Sequence, residues 1–336
     1  MLSRVADSLY WLGRYVERAE NLARMVEVTR QEELESFHKV KENIWKPVIY
    51  ATVLDEELSE EQQQSLSRDT AHYLSLCPLN PTSIASCIAA ARENARTVRD
   101  QLSEEMWLEL NAIHLYLSSD RARHDYRNSP ESLFRKIIRF SIIFQGLSQS
   151  TIRQDEGWYF SRVGRFVERA DKTSRILDTL TFSVDEPTQS ALLAVLRSCS
   201  AFTAFRAQYR TDLSLRNVAA FLFFSADFPR SIRFCLQQIE SNLRAISGTR
   251  SGDFSNEAER HAGQALAAVN FNLIDQVIEA GLHDEIDDVQ RRLNEIGQEI
   301  FKQYVLLPSE IREAVRTEGL QNTRWPQQQQ RRRSKV

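Results

Sequence analysis

The sequence predicts an all-α fold, a multi-helix bundle built from two duplicated halves of about 150 residues related by a pseudo-twofold axis. Three observations carry this expectation. Apolar residues recur at steps of three and four through most of the chain. Glycine and proline are sparse, at 10 and 8 among 336 residues, while Leu, Ala, Glu, Arg and Gln recur. One twelve-residue stretch of unusual charge returns later with most of its residues in place.

The first helix is expected over residues 3–31, with Val5, Leu9, Leu12, Val16, Ala19, Ala23 and Val26 on one side and Ser3 as its N-cap. Helical patterns follow over 33–51, 57–76, 82–102, 104–119 and 131–152. In the second half they cover 156–182, 188–209, 212–225, 229–247, 256–280 and 284–305. Breaks fall at CPLNPTS, at the polar SSDRARHDYRNSP, at SVDEP and at SGTRSGDFSN. The expected domain spans 1–320, with halves at 1–150 and 151–320. A basic, Gln-rich tail over 321–336 lacks the apolar surface needed to order itself.

The 43 basic and 46 acidic residues nearly cancel, so no overall field favours nucleic acid or a membrane surface. Charges at Arg4, Asp7 and Arg14 interrupt any signal-peptide core, and the longest uncharged run, NVAAFLFFSA, is too short to span a bilayer. Cys77, Cys87, Cys199 and Cys235 show neither a zinc spacing nor a disulfide framework. A cytoplasmic protein with no nucleic-acid or membrane partner is the resulting expectation.

The stretch GRYVERAENLAR at 13–24 returns as GRFVERADKTSR at 164–175, identical at seven of twelve positions and displaced by 151 residues. A second pair, PTSIASCIAAARENAR from Pro81 and PRSIRFCLQQIESNLR from Pro229, repeats at a displacement of 148. On the first motif helix Gly13, Glu17, Glu20, Arg24 and Glu27 form a polar stripe. Gly164, Glu168, Asp171, Arg175 and Asp178 form it on the second. A mid-helix glycine costs about 1 kcal/mol relative to alanine, so its presence in both copies predicts close approach of a backbone or ligand. Arg14 and Arg165 are within reach of Glu17 and Glu168, and Glu20 and Asp171 of Arg24 and Arg175.

Two readings follow. The charges form a buried ion-pair lattice that fixes how the halves pack. Alternatively they line a cleft in which Glu17 and Glu168 are catalytic candidates, while Arg14, Arg18, Glu20, Arg165, Arg169 and Asp171 bind a carboxylate or phosphate. Arg210 and Arg230 join the substrate-binding candidates, Arg230 because a cation at a helix start calls for an acidic partner or an anion. Thr82 stands where the second half has Arg230, so the duplication is asymmetric. The only E-x-x-H pair, Glu35 to His38, has no counterpart, no nucleotide-binding loop is present, and neither a metal nor a cofactor is expected.

At SRVADSLYWLGRYVERAENLARM, NPTSIASCIAAARENARTVRDQLSEEMWLELN, DEGWYFSRVGRFVERADKTSRILD and DFPRSIRFCL the chain resembles the bacterial alpha-E domain family. The resemblance implies an all-helical protein whose characteristic glutamates fall on Glu17 and Glu168. It also implies a partner, a circularly permuted ATP-grasp protein, often with a transglutaminase-like protein nearby. The implied function is that of an accessory component of an ATP-grasp-linked peptide ligation or modification system, binding the partner enzyme or its small peptide or amino-acid substrate. The alternative is an enzyme of that system, acting through the Glu and Arg residues of the duplicated motif on a carboxylate-bearing substrate.

Overall fold

The computed structural model describes residues 3–35, 44–52, 58–182 and 186–306, and every regular element among them is helical. The first half contains α1 (Ser3–Glu35), α2 (Lys46–Thr52), α3 (Glu60–Arg68), α4 (Thr70–Ser75), α5 (Ile84–Thr97), α6 (Glu104–Leu117), α7 (Asp120–Asn128) and α8 (Pro130–Ser150). The second contains α9 (Glu156–Asp178), α10 (Gln189–Ser198), α11 (Phe202–Tyr209), α12 (Leu215–Phe224), α13 (Ile232–Ser247), α14 (Glu257–Asn270), α15 (Ile274–Ala280) and α16 (Leu282–Phe301), which ends in a π turn at Lys302–Leu306.

Helix ends follow their local chemistry. Ser83 and Ser231 occupy matching places in the second repeat pair, and the side chain of each accepts a first-turn backbone N–H, from Ser86 and Phe234. Asp155 caps α9 through the N–H of Gly157. Asp69 ends α3 and caps α4, which divides the single helix expected over 57–76. The pattern over 188–209 is likewise broken, at Ser200, whose φ is 51°, and that over 256–280 is broken after Asn270.

One expected loop is a helix. SSDRARHDYRNSP contains α7, which buries only Ala122 and Tyr126, one turn apart, and anchors the Tyr126 hydroxyl to Asp69 Oδ1 at 2.8 Å. Two apolar residues in nine are too few for a helical period to stand out. His38 of the lone E-x-x-H pair and the tail at 321–336 lie outside the described residues.

The two motif helices, α1 and α9, cross at the centre. Helix α5 lies along α1 and α13 along α9, while α8 packs on α1 and α16 on α9. Leu12, Ala23 and Val26 of α1 and Val163, Ala170 and Leu177 of α9 are fully enclosed, so one core runs through both halves. No helix among the described residues is long and apolar enough to cross a membrane.

Candidate functional site

The repeated glycines lie where α1 and α9 touch. A Cβ on Gly13 would stand 2.1 Å from the carbonyl oxygen of Ser161, and one on Gly164 would stand 2.0 Å from that of Tyr10. Ser161 is the counterpart of Tyr10 at the 151-residue displacement, so the two contacts exchange between the copies. Only glycine admits two helix backbones this close.

That proximity brings the adjacent charges together across the crossing. Arg169 donates from Nε and Nη2 to the two oxygens of Glu17, at 2.8 and 2.7 Å. Its counterpart Arg18 does the same to Glu168, at 2.6 and 2.9 Å. Each glutamate is therefore gripped in a two-pronged pair by the arginine of the other copy, and both glutamates are fully buried. Glu20–Arg24 and Asp171–Arg175 pair within their own helices. Arg14 differs from the expectation: its Nε donates across the crossing to Glu168, at 2.8 Å, instead of along α1 to Glu17.

Beyond this shared centre the two faces diverge. On one, Arg230 at the start of α13 inserts its guanidinium and donates to Glu17 Oε1 at 3.2 Å, to Asn21 Oδ1 at 2.6 Å and to Glu20. Ser141 and Gln145 of α8 donate to the same carboxylates, and the face is sealed. Arg230 thus has acidic partners at its helix start, as the dipole argument requires.

On the other face the residue in the place of Arg230 is Thr82, and the space that an arginine would fill is a cavity of about 200 Å³. Arg14, Arg18, Lys172 and Arg175 line it, with Asp171, Thr82 and Asn294 beside them. Lys172 replaces the neutral Asn21 of the sealed face and lies 3.2 Å from Asp171. Four cations thus surround one lining carboxylate, with Glu168 buried behind. Arg14 Nη2, Arg18 Nη1 and both terminal nitrogens of Arg175 make no hydrogen bond within the described residues. A second cavity of about 440 Å³ shares Arg14 and Asn294 with the first and is lined mainly by apolar groups, among them Trp11, Phe160, Leu293 and Phe301.

The electrostatics follow this arrangement. Burial alone would raise the Glu168 carboxyl, but Arg18, Arg14 and Lys172 outweigh it and hold it well below the usual carboxylate range. Glu20 is similarly buried, yet Arg230, Arg24 and Arg169 bring it down to about 2. Arg165, the counterpart of Arg14, has no such partner: its Nε is buried without a hydrogen bond, and burial with repulsion from Arg169 and Arg162 pushes its guanidinium down to about 9. Burial pushes the thiols of Cys87 and Cys235 up to about 12, which suits core packing and not nucleophilic work.

The structure therefore gathers the candidates around one crossing in three groups: Arg14 and Arg18 on Glu168, Arg169 and Arg230 on Glu17 with Glu20 beside it, and Asp171 with Lys172 and Arg175. Arg165 lies beside them over the Phe166 ring, with no ion pair among the described residues, and Arg210 is exposed at the end of α11, away from the crossing. Sequence reasoning missed Lys172, Arg175 and Thr82 as cleft residues. The change from Asn21 to Lys172 between the copies is the signal that could have found the cleft, whereas nothing in the sequence singles out Asn294, which α16 delivers by packing.

Residues 1–305 match a family profile described as "A predicted alpha-helical domain with a conserved ER motif", and the chain belongs to this Alpha-E family. Glu17–Arg18 and Glu168–Arg169 are Glu–Arg dipeptides of the two motif helices, and each supplies the glutamate of one central pair and the arginine of the other. The chain is 25% identical over 271 residues to uncharacterized proteins of Mycobacterium bovis and Mycobacterium tuberculosis. The match covers 73% of this chain and 30% of those proteins, so the chain corresponds to under a third of their length. No solved structure matches it.

Proposed function

We propose that this Alpha-E protein is a binding component that holds a small carboxylate-bearing ligand, an amino acid or short peptide, in the open cleft beside the crossing. In this reading it serves an ATP-grasp-linked peptide ligation or modification system, whose circularly permuted ATP-grasp partner supplies the ATP chemistry. One observation carries the proposal: the cavity opposite Arg230, where Thr82 leaves room and Arg14, Arg18, Lys172 and Arg175 present unused donors. Guanidinium groups suit planar, two-pronged recognition of a carboxylate. The adjoining apolar cavity has room for a side chain attached to that carboxylate.

Binding is favoured over catalysis by the state of the glutamates. Glu168 is kept ionised between two arginines, and a general acid or base needs an affinity for protons near the working pH. Glu17 accepts from Arg169, Arg230, Asn21 and Gln145, which leaves no lone pair directed at a ligand.

Calorimetric titration with a dipeptide ending in phenylalanine and with its C-terminal amide tests this reading. The acid should bind and the amide should bind at least tenfold more weakly. Thr82→Arg, which rebuilds the sealed face, should abolish binding while the fold is retained. Absence of saturable binding, or binding indifferent to Thr82→Arg, overturns it. Co-purification with the ATP-grasp protein tests the partner separately.

A further inference from the structure

We infer that Asp178, His283 and Asp287 form a site for one divalent transition-metal ion that ties the end of α9 to the start of α16. Asp178 is the last residue of α9, and His283 and Asp287 stand one turn apart on the same face of α16. One nitrogen of His283 and one oxygen from each carboxylate all lie within 4.8 Å of one another. Two helices distant in sequence thus converge three metal-ligand groups on one point.

The second observation concerns the buried carboxylate. Asp178 is 1% exposed. Its Oδ1 faces His283 Nδ1 at 2.8 Å and accepts from the Thr181 hydroxyl at 3.0 Å, but its Oδ2 is buried with no hydrogen-bond partner. A histidine–aspartate ion pair accounts for the first oxygen and leaves the second unanswered. A cation bound by the carboxylate answers it, because buried polar oxygens otherwise have partners.

The chemistry of the set narrows the ion. One imidazole and two carboxylates suit Zn²⁺ or Mn²⁺, whereas Ca²⁺ and Mg²⁺ take oxygen ligands almost exclusively. Ligand atoms around a tetrahedral zinc stand roughly 3.4 Å apart, given bonds of about 2.1 Å. The remaining movement falls to Asp287, which is exposed and stands 3.6 Å from the Nε2 of His283, the nitrogen opposite the one that faces Asp178, so its carboxylate turns towards Asp178 when the ion binds. That exposed side also gives the ion a route from solvent, and water completes its coordination. The ion has a consequence for the cleft: α9 carries Asp171 and Arg175, and α16 carries Asn294 roughly 16 Å further along the helix, so both walls hang on the same clip.

Full-length protein stripped with a chelator and titrated with Zn²⁺, then with Mn²⁺, tests the site. One equivalent of at least one ion should bind and raise the thermal midpoint. His283→Ala and Asp287→Asn should each weaken that binding at least tenfold, whereas His261→Ala, at another histidine flanked by carboxylates on the surface, should leave it unchanged. Should His283→Ala fail to fold, Asp287→Asn decides, since its side chain is exposed and its loss leaves the core intact. The inference is overturned by absence of saturable binding of either ion to the parent protein, or by binding that Asp287→Asn does not weaken.

Discussion

Replacing Gly164 with alanine tests how closely α1 and α9 approach. Helix propensity alone predicts that the change stabilises the protein by about 1 kcal/mol. The tertiary structure predicts the opposite sign. The new Cβ would stand 2.0 Å from the Tyr10 oxygen and 2.9 Å from its carbonyl carbon, and ordinary contact begins near 3.4 Å. The helices must therefore part by about 1.4 Å locally. A shift of that size lengthens the Arg18–Glu168 and Arg169–Glu17 hydrogen bonds, now 2.6 to 2.9 Å, to about 4 Å, beyond hydrogen-bond range. Overpacking of this kind costs about 1–3 kcal/mol, and weakening the buried pairs adds to it, so a net loss of about 2–4 kcal/mol is expected. Urea unfolding followed by far-UV circular dichroism measures it. Gly263→Ala in α14 is the control, because a Cβ there meets nothing within 4 Å, and it should raise the midpoint. If Gly164→Ala raises the midpoint as Gly263→Ala does, the close crossing is refuted.

Further outcomes follow from the same crossing. Glu168→Gln leaves Arg14 and Arg18 without their charged acceptor and should destabilise the protein by about 3 kcal/mol in the same assay. Arg165→Met removes a buried cation that has no acidic partner and only the Phe166 ring beside it, so it should leave stability unchanged or raise it, while Arg18→Met lowers it. Acid titration should show stability falling as pH drops below about 4.5. Glu20 has a folded pKa of about 2 against 4.5 unfolded, so the unfolded chain binds more protons in that window and the contribution of Glu20 is lost across it. Glu20→Gln should flatten that part of the curve. Arg210→Ala, away from the crossing, should alter neither stability nor dipeptide binding by calorimetry.

Legibility in the sequence depended on how local the cause was. Helix α1 and its polar stripe were readable because periodicity is written in neighbouring residues. The i,i+4 pairs Glu20–Arg24 and Asp171–Arg175 were readable for the same reason. Helix α7 was not, since its two buried residues gain their meaning only against Asp69 and the core. Sequence distance favours Glu17 as the partner of Arg14, whereas the crossing places Glu168 within 2.8 Å of its Nε.

The sequence by itself determined the all-α class, the two copies of the motif and the repeated mid-helix glycines at 13 and 164 that call for a close neighbour, because helical spacing, repetition and the cost of a mid-helix glycine are properties of the chain. Only the tertiary structure decided that each glutamate is held by the arginine of the other copy, that Arg230 seals one face and that Thr82 leaves the other open. Which buried charge meets which depends on how two helices cross, and a one-dimensional pattern leaves that crossing free.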